Sequence, residues 1–439
     1  MDVSLSQVSL ENVKASNGLR YLLPDKLGFI AIAKNKIPDL QKELSLQTAN
    51  ITCISSDLHS QYLPLGSDFG PVNLGVIYRF CKSMVKRMSS LHRGYFCDKK
   101  KAFVSVRDGA FIYCFEPEPK ATSNACFLLG SFLIVEFQMN PQDAANFFIG
   151  PGAPFEVCPF RDSSSEPDSS TISLLDCFLG LKKAISQGWF DVRTFKVETY
   201  ETLDDPLCGD IHQICPKLVA FRGPRDVLSP DDDAFETSHC IELLKKLAVT
   251  CVVRLSSPDD YDREQFVRAG MTHIDLPCPD PFPSDDVIER FITLCDHEKV
   301  VAVHCRTGLG RTGTLAALWM MRYKQFAARE AVAWARIVRT GSISAAQQDF
   351  LAHCEGRRWV GSRLAAPRRG APSLQPWLTQ PAGPRPPSPC RPVDPDSLLD
   401  DSDEEDTSPA ASAAPAANAA NADGPGSPGG DPLLSRSSR

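Results

Sequence analysis

The chain has 439 residues and a formal net charge of −7 at pH 7, which predicts two domains and additional segments. A hydrophobic content of 43% supports substantial cores, and the charge balance gives no reason to expect a nucleic acid as partner. The 16 cysteines show no C-x-x-C pair and no ligand-like spacing, so we expect free thiols in a reducing, intracellular compartment. No secretory leader or membrane span is expected, because the longest apolar run, residues 127–135, is too short.

The N-terminal half begins with a polar stretch up to residue 19, followed by alternating short strands and helices over residues 20–165. Strands are predicted at 29–33, 102–106 and 111–114, and helices at 72–88, 124–137 and 141–148. A further amphipathic helix is predicted over residues 172–187, within a linker region of residues 166–199. Gly188 is a natural residue to end it.

The second half, residues 200–360, predicts strands at 218–221, 250–255, 272–276 and 300–304, separated by helical patterns. This alternation is typical of an α/β layered fold. In the tail, residues 361–439, Pro, Ala, Gly and Ser surround an acidic run, and disorder is predicted because too little apolar surface can be buried. Three Ser-Pro pairs of the tail are candidate sites for regulation by proline-directed kinases: Ser388, Ser408 and Ser427.

The most informative segment is residues 300–314, VVAVHCRTGLGRTGT, in which a buried strand ends at His304-Cys305 and a helix begins near Arg311. A cysteine beside an arginine and a helix N-terminus can be a thiolate at neutral pH, the nucleophile that covalent cleavage of a phosphate ester requires. Arg311 can hold two phosphoryl oxygens with its planar guanidinium group. We therefore predict a cysteine-dependent phosphatase loop that uses no metal and no other cofactor.

The remaining loop residues have supporting roles in this interpretation. Backbone N–H groups of the loop are expected to turn inward and bind the phosphate, with the glycines allowing the turn. The residues predicted to bind phosphate are Arg306, Thr307, Gly308, Leu309, Gly310 and Thr312. The Thr312 hydroxyl is expected to stabilise the Cys305 sulfur as it leaves, and His304 to order the loop rather than transfer protons.

Three alternative interpretations stay open for this segment. A buried cysteine is often only structural. Gly308, Gly310 and Gly313 spell the G-x-G-x-x-G of a dinucleotide-binding loop, but the acidic residue expected at the end of a second strand is missing, since Glu330 lies inside a helical pattern. A nucleotide-binding P-loop is the third alternative, but no Gly-Lys-Ser/Thr follows.

A general acid is also needed, because the leaving group must be protonated. Asp280 is the candidate, since it lies on an upstream loop, residues 278–283, that is placed to close over the site. Asp275 is the second choice, although it occupies a predicted strand.

Other polar residues downstream have less specific signals. Asp285 and Asp286 follow the candidate N-cap Ser284, so stabilisation of the first helical turn explains them better than catalysis does. Gln347 and Gln348 open the last helix and are candidates for positioning the hydrolytic water. The alternative is that both are solvent-facing helix amides.

The first half repeats the order of the catalytic half, namely a strand, a loop, a helix and a second helix. This places Cys114 opposite the predicted nucleophile and Lys120 opposite the loop arginine. Glu116 and Glu118 would repel a phosphate, so we predict an internal duplication whose first copy has lost its chemistry. Two similar units by chance are the alternative.

Several motifs resemble the cell-division-cycle-fourteen (mitotic-exit) family of dual-specificity phosphatases, within the protein tyrosine phosphatase superfamily. The resemblance extends over roughly residues 17–360. It rests on the loop at 304–313, DFGPVNL (68–74) with Tyr78-Arg79, PFRD (159–162), LDC (175–177) through Gly180 to GWFD (188–191), Ala220-Phe221 with Gly223-Pro224, VVRL (252–255), and GSI (341–343) with Gln347-Gln348.

This resemblance implies two tandem phosphatase-like domains joined by a linker helix, of which only the second is active. It implies hydrolysis of phosphoserine or phosphothreonine at proline-directed sites, and of phosphotyrosine, in cell-cycle or mitotic-exit control. It also implies an acidic substrate groove between the domains, for which Glu116, Glu118 and Asp162 are candidates. The implied locations are the nucleus or nucleolus, the cytoplasm, and spindle-pole or centrosome-like structures.

Two departures from the family pattern concern the active site. Pro279 and Pro281 flank Asp280, where the family usually has Asp-Gly in a loop one residue longer, so the loop is expected to be stiffer. Arg306-Thr307 replaces the usual Lys-Ala. Two other functions stay open: a phosphoinositide phosphatase, against which Leu309 in mid-loop argues, and a scaffold that binds phosphoproteins without turnover.

Overall fold

The computed structural model describes residues 19–356, except 24–25, 48–50, 57–61, 65, 91–93, 98–101, 106–109, 151–152, 154, 163–169 and 227–233. All described residues belong to one compact unit. The predicted tail, with its Ser-Pro pairs, and the polar N-terminal stretch lie outside the described residues. The domain boundaries given above stay a prediction.

The first domain alternates strands and helices. Its elements are β1 (Arg20–Leu23), β2 (Leu27–Ala31), α1 (Ile37–Gln47), β3 (Ile51–Ser55), α2 (Leu74–Ser90), β4 (Gly94–Cys97), β5 (Ala102–Ser105), β6 (Ala110–Phe115), α3 (Pro119–Phe137) and α4 (Pro141–Asn146). One sheet has the order β1-β2-β6-β3, and β4 pairs with β5 separately. The six residues of β6, AFIYCF, are all buried, as expected for an apolar strand that is covered on both faces.

The linker and second domain continue the alternation. Their elements are α5 (Leu174–Ser186), α6 (Val197–Asp204), β7 (Ile211–Cys215), β8 (Leu218–Arg222), α7 (Thr237–Lys246), β9 (Cys251–Arg254), α8 (Glu264–Arg268), β10 (Thr272–Asp275), α9 (Asp285–His297), β11 (Val301–Cys305), α10 (Gly310–Lys324), α11 (Ala328–Val338) and α12 (Ala345–Gly356). The second sheet has the order β10-β9-β11-β8-β7.

Both sheets follow one plan, which confirms the repeated architecture, whereas the loss of chemistry in the first copy stays a prediction. In each sheet the central strand, β6 or β11, is parallel to both neighbours. In each, the edge strand, β1 or β7, forms an antiparallel pair with an irregular register near the turn. A long helix, α3 or α10, follows the central strand directly, so the α/β fold class is confirmed.

The predicted linker helix, α5, packs between the two domains. Ser173 and Asp176 form a capping box at its N-terminus. Its Phe178 stacks on Phe127 of α3 with ring centroids 6.0 Å apart, which joins α5 to the first domain. On the other side Gly180 allows close approach to α11, because a Cβ atom there would lie 2.7 Å from the Glu330 carbonyl oxygen.

One predicted helix begins earlier than expected. The helix α3 begins at Pro119 rather than at residue 124, because Pro119 occupies the first helical position and Glu118 caps it. No element was predicted at the edge strand β7 or at the short helix α6, which have only five and eight residues. No helix within the described segments is both long and apolar enough to cross a membrane.

Candidate active site

Cys305 is the last residue of β11, at the centre of the second sheet, and it is only 3% exposed. The loop that follows it, residues 306–309, leads directly into α10. No side chain caps the first turn of α10. Its free backbone N–H groups and positive dipole end are therefore available to bind an anion above the sulfur.

The loop turns at Gly308, where only glycine fits. Its φ of +68° lies in the left-handed region, and a Cβ atom would lie 2.0 Å from the Phe221 carbonyl oxygen. The carbonyls of Thr307 and Gly308 accept hydrogen bonds from Arg339, at 2.8 and 2.9 Å. The N–H of Gly308 contacts the Cys305 sulfur. This is the inward-facing arrangement that the sequence predicts.

The pKa of the Cys305 thiol lies below its ordinary value. Burial alone would raise this pKa, but the hydroxyl and N–H of Thr312, the charge of Arg311 and the N–H of Gly308 together outweigh burial. The Thr312 hydroxyl is buried and has no other partner among the described residues. The direction agrees with the thiolate predicted for Cys305.

The charge of Arg311 acts on the Cys305 sulfur, and Arg311 lines a cavity of about 600 Å3. Its Nη1 donates to the carbonyl oxygens of Cys278, at 3.0 Å, and Leu255, at 3.4 Å, which holds the guanidinium group against the segments that follow β10 and β9. Arg225 and Arg306 line the same cavity. Three arginines in one cavity favour a dianionic ligand such as a phosphate ester.

His304 is fully buried, and its Nδ1 lies 3.0 Å from the Cys305 carbonyl oxygen. Its Nε2 lies 2.7 Å from the Tyr261 hydroxyl, which also contacts His273 at 2.8 Å. Burial lowers the pKa of His304 to about 4, so the ring is neutral at physiological pH. These contacts agree with a residue that orders the loop.

Asp280 lies on the loop at the rim of this cavity, directly after the lining residue Pro279, and its side chain is exposed. The loop is anchored behind Asp280 at two points. Gln347 Nε2 donates to the Pro281 carbonyl oxygen at 3.0 Å, and the Phe282 ring stacks on Phe350 with centroids 5.2 Å apart. Asp280 is therefore presented by a loop held against α12.

Asp275, the second choice for the acid, is engaged elsewhere. Its carboxylate accepts from Arg254 at 2.7 Å and from Arg263 at 3.1 Å. Burial would raise the pKa of Asp275, but the two arginines keep it below its ordinary value. A carboxylate held ionised in this way is a poor proton donor, which leaves Asp280 as the better candidate.

The two glutamines have different surroundings. Gln347 is buried between the acid loop and the phosphate-binding loop, since a Cβ atom on Gly310 would lie 2.9 Å from its amide. This position suits the predicted orientation of a water molecule. Gln348 instead donates to the Thr171 carbonyl oxygen at 3.0 Å and so ties α12 to the linker region.

Arg339 is a site residue that the sequence interpretation missed. It is 1% exposed and binds two carbonyls of the phosphate-binding loop from behind. It also pairs with the Asp210 carboxylate at 2.5 Å. A charged residue directly after the apolar end of α11 was the available signal, because a buried arginine needs a partner.

The three predicted groove carboxylates each accept a backbone N–H. Glu116 accepts from Lys34 at 2.8 Å, and Glu118 accepts from Ala121 at 2.8 Å. Both line a cavity of about 300 Å3 in the first domain. Asp162 is buried and accepts from Ala345 at 2.6 Å, at the start of α12. Glu116 and Glu118 thus share a cavity, whereas Asp162 caps a helix.

Strand pairing corrects the predicted alignment of Cys114 by one residue. The Ser56 N–H donates to the Cys114 carbonyl at 2.9 Å, and the Leu255 N–H donates to the His304 carbonyl at the same distance. Cys114 therefore corresponds to His304, and the residue at the nucleophile's position is Phe115.

The loop after Phe115 is also built differently. It has three residues, 116–118, where the second domain has four, and α3 begins with Pro119. Glu118 caps this helix with its own carboxylate, at the place where the second domain leaves an anion site open. Lys120 is the second helical residue, as Arg311 is in α10, which agrees with their predicted alignment.

Comparisons with known proteins cover both domains. The family model "Dual specificity protein phosphatase, N-terminal half" matches residues 21–184, and the "Swiss Army Knife protein, DSP-PTPase phosphatase domain" model matches residues 233–352. Among solved structures, Tk-PTP in the active form is 22% identical over 34% of this chain and 97% of its own, with a TM-score of 0.29.

Among curated relatives, dual specificity protein phosphatase CDC14A of Homo sapiens is 35% identical over 71% of this chain and 51% of its own length. CDC14C of Homo sapiens is 31% identical over 71% of this chain and 67% of its own. Tyrosine-protein phosphatase cdc-14 of Caenorhabditis elegans is 32% identical over 77% of this chain and 47% of its own length. The chain thus spans about half the length of several relatives. By these matches, the chain belongs to the CDC14 family of dual-specificity phosphatases.

Proposed function

We propose that this chain is a protein phosphatase that cleaves phosphate monoesters through a phosphocysteine intermediate. One observation carries the proposal: a thiol with a lowered pKa lies under an uncapped helix N-terminus and beside Arg311. Those groups bind a tetrahedral dianion and supply a nucleophile in the same place.

The reaction has two steps. The Cys305 thiolate attacks phosphorus in line, an S–P bond forms, and the P–O ester bond breaks while Asp280 protonates the leaving oxygen. Water then attacks the phosphocysteine, Asp280 takes its proton, and the S–P bond breaks to release phosphate. Arg311 and the loop N–H groups hold the three equatorial oxygens throughout, and the Thr312 hydroxyl stabilises the departing sulfur.

The proposed substrates are phosphoproteins, namely phosphoserine or phosphothreonine followed by proline, and phosphotyrosine. The names of the relatives support a dual specificity. The first-domain cavity is lined by Asp68, Glu116 and Glu118, and its acidic character favours a basic residue in the bound segment.

A substrate panel tests this proposal. The purified chain is offered a phospho-Ser-Pro peptide with a downstream lysine, its alanine-for-proline counterpart, a phosphotyrosine peptide and inositol-phospholipid vesicles, with Cys305→Ser as the blank. We expect phosphate release from the peptides, and more from the first than from its counterpart. Release from lipid alone would favour the phosphoinositide phosphatase. Binding without any release would favour the scaffold.

We also propose a cell-cycle role, a nuclear, nucleolar or spindle-pole location, and kinase control at the tail's Ser-Pro pairs. Family membership supports the first two, and the residue pattern of the tail supports the third. Imaging of a fluorescent fusion through division tests the location. Alanine substitution at Ser388, Ser408 and Ser427 tests the regulation by kinases. We expect the substituted protein to change its location at a different time in division than the parent does.

A further inference from the structure

Two residues of the first-domain motifs, Asn73 and Arg79, have no part in the chemistry, yet both contact α6. Asn73 Nδ2 donates to an Asp204 carboxylate oxygen at 2.9 Å. Arg79 binds Glu201 through two nitrogens, at 2.6 and 2.5 Å. The Asn73 amide has one possible orientation, because its Oδ1 accepts from the Val76 N–H at the start of α2. Its amino group is therefore committed to α6.

From α6 the contacts continue into the second domain. The other oxygen of Asp204 lies 2.6 Å from Nε2 of His212, which is only 3% exposed. Nδ1 of His212 lies 2.8 Å from Nη1 of Arg339. An arginine nitrogen only donates, so Nδ1 accepts and the ring proton lies on Nε2, facing Asp204. Burial lowers the pKa of His212, which keeps the ring in this neutral form.

The last contacts reach the phosphate-binding loop. Arg339 also donates to Asp210 and to the carbonyls of Thr307 and Gly308, so its N–H groups are shared between the chain of contacts and the loop. Tyr200 of α6 donates to the carbonyl of Val338, the residue before Arg339, at 2.8 Å. Thus α6 contacts Arg339 in two ways: Asp204 binds His212, which accepts from the Arg339 side chain, and Tyr200 binds the backbone next to Arg339.

We propose that the first domain positions the phosphate-binding loop of the second through α6, by the chain Asn73–Asp204–His212–Arg339. This assigns a role to the DFGPVNL motif and to a domain that has Phe115 at the position of the nucleophile. In this role the first domain holds the loop carbonyls outward so that the N–H groups face the anion. The proposal rests on the proposed function, because it concerns the same site. Asn73 and Asp204 act as positioning residues, since neither lines the catalytic cavity.

A polarity swap tests the chain of contacts. Asn73→Asp keeps the helix cap, because Asp and Asn cap equally well. It replaces the donor that faces Asp204 by a second carboxylate, so that two carboxylates repel each other. Asp204→Asn instead places the amino group of the new amide against the amino group of Asn73, so that two donors face each other. The double variant restores one donor facing one acceptor, and the oxygen of the amide introduced by Asp204→Asn can still accept from His212. Arg290→Ala, which removes an exposed ion pair with Asp286, is the matched control.

Two readouts are measured on the full chain. One is the alkylation of Cys305 by iodoacetamide, followed on its own peptide by mass spectrometry, with tungstate as the protecting anion. The other is kcat/KM on a phosphopeptide. Each single variant is expected to lower tungstate affinity and kcat/KM by roughly three- to thirtyfold, with a raised KM, and the double variant to recover most of both. Thermal unfolding checks that each variant is folded.

The outcomes separate this proposal from the function above. If the single variants bind tungstate and hydrolyse the phosphopeptide as the parent does, the proposed positioning chain is wrong while the proposed phosphatase activity is unaffected. Losses that the double variant does not recover also overturn it, since they reflect damage rather than polarity. If the parent hydrolyses no phosphopeptide, but tungstate affinity falls in the single variants and recovers in the double variant, the positioning chain is supported and the proposed function is wrong.

Discussion

The two halves of this molecule place the same elements around a central strand and end that strand in opposite ways. The strand β11 ends in Cys305, which is followed by a four-residue loop and a helix whose first turn no side chain caps. The strand β6 ends in Phe115, which is followed by a loop of three residues and a helix capped by Glu118. The sheets supply the same support in both cases. The two halves therefore share their architecture and differ in the loop and the helix start, where the proposed chemistry takes place.

The largest difference is expected at the nucleophile. Cys305→Ser should lower phosphopeptide turnover by at least about 10^4-fold, because a serine hydroxyl is not ionised at neutral pH. Cys114→Ser, in the equivalent region of the first domain, should leave kcat/KM unchanged. Steady-state phosphate release measures both. Retained turnover in Cys305→Ser would mean that the chemistry lies elsewhere.

The general acid comes next. Asp280→Ala should lower kcat on a phosphoserine peptide by about 10^2- to 10^4-fold, since the alkoxide leaves unprotonated. The loss should be much smaller for an activated aryl phosphate, whose leaving group needs no proton. Asp285→Ala, in the first turn of α9, is the control. Equal losses on both substrates would remove Asp280 from the role of acid.

The arginine and its counterpart give the third contrast. Arg311→Lys keeps the charge but loses the planar pair of donors, and we expect a drop of about 10^2- to 10^3-fold in kcat/KM. Lys120→Ala, at the matching helical position of the first domain, should have no effect on turnover of a phosphotyrosine peptide. A large effect of Lys120→Ala would show that the first domain touches the reacting group.

A smaller effect concerns pH. Thr312→Val removes a donor to the Cys305 sulfur, and loss of thiolate stabilisation raises the pKa of that thiol. The curve of Cys305 alkylation against pH should therefore move to higher pH, with about tenfold slower alkylation on its acidic side. Thr314→Val, whose hydroxyl bonds to the Gly310 carbonyl instead, should leave the curve in place.

The smallest effect is on stability alone. Gly180→Ala would bring a Cβ atom within 2.7 Å of the Glu330 carbonyl, where α5 meets the second domain. Relief of this overlap should lower the free energy of unfolding by about 1–3 kcal/mol. Ser186→Ala, exposed near the end of the same helix, should change it by less than about 0.5 kcal/mol. Chemical denaturation measures both.

The catalytic loop could be predicted from the sequence, because the strand end, the cysteine, the turn glycine and the helix start are contiguous. Their chemistry depends on local spacing, so the order of residues is enough to predict Cys305 and Arg311 as the catalytic candidates. The same locality explains why the linker helix, predicted over residues 172–187, is observed at Leu174–Ser186.

The hydrogen-bond partners of residues distant from this loop could be found only in the folded molecule. Arg339 bonds to the Gly308 carbonyl and Asn73 bonds to Asp204, in each case between segments that are far apart in the chain, and no local pattern encodes such partners. The one-residue shift at Cys114 has the same origin, because the register of β6 is set by its bonds to the neighbouring strands. The engagement of Asp275 by two arginines likewise required the fold, since only packing brings Arg254 and Arg263 to one carboxylate.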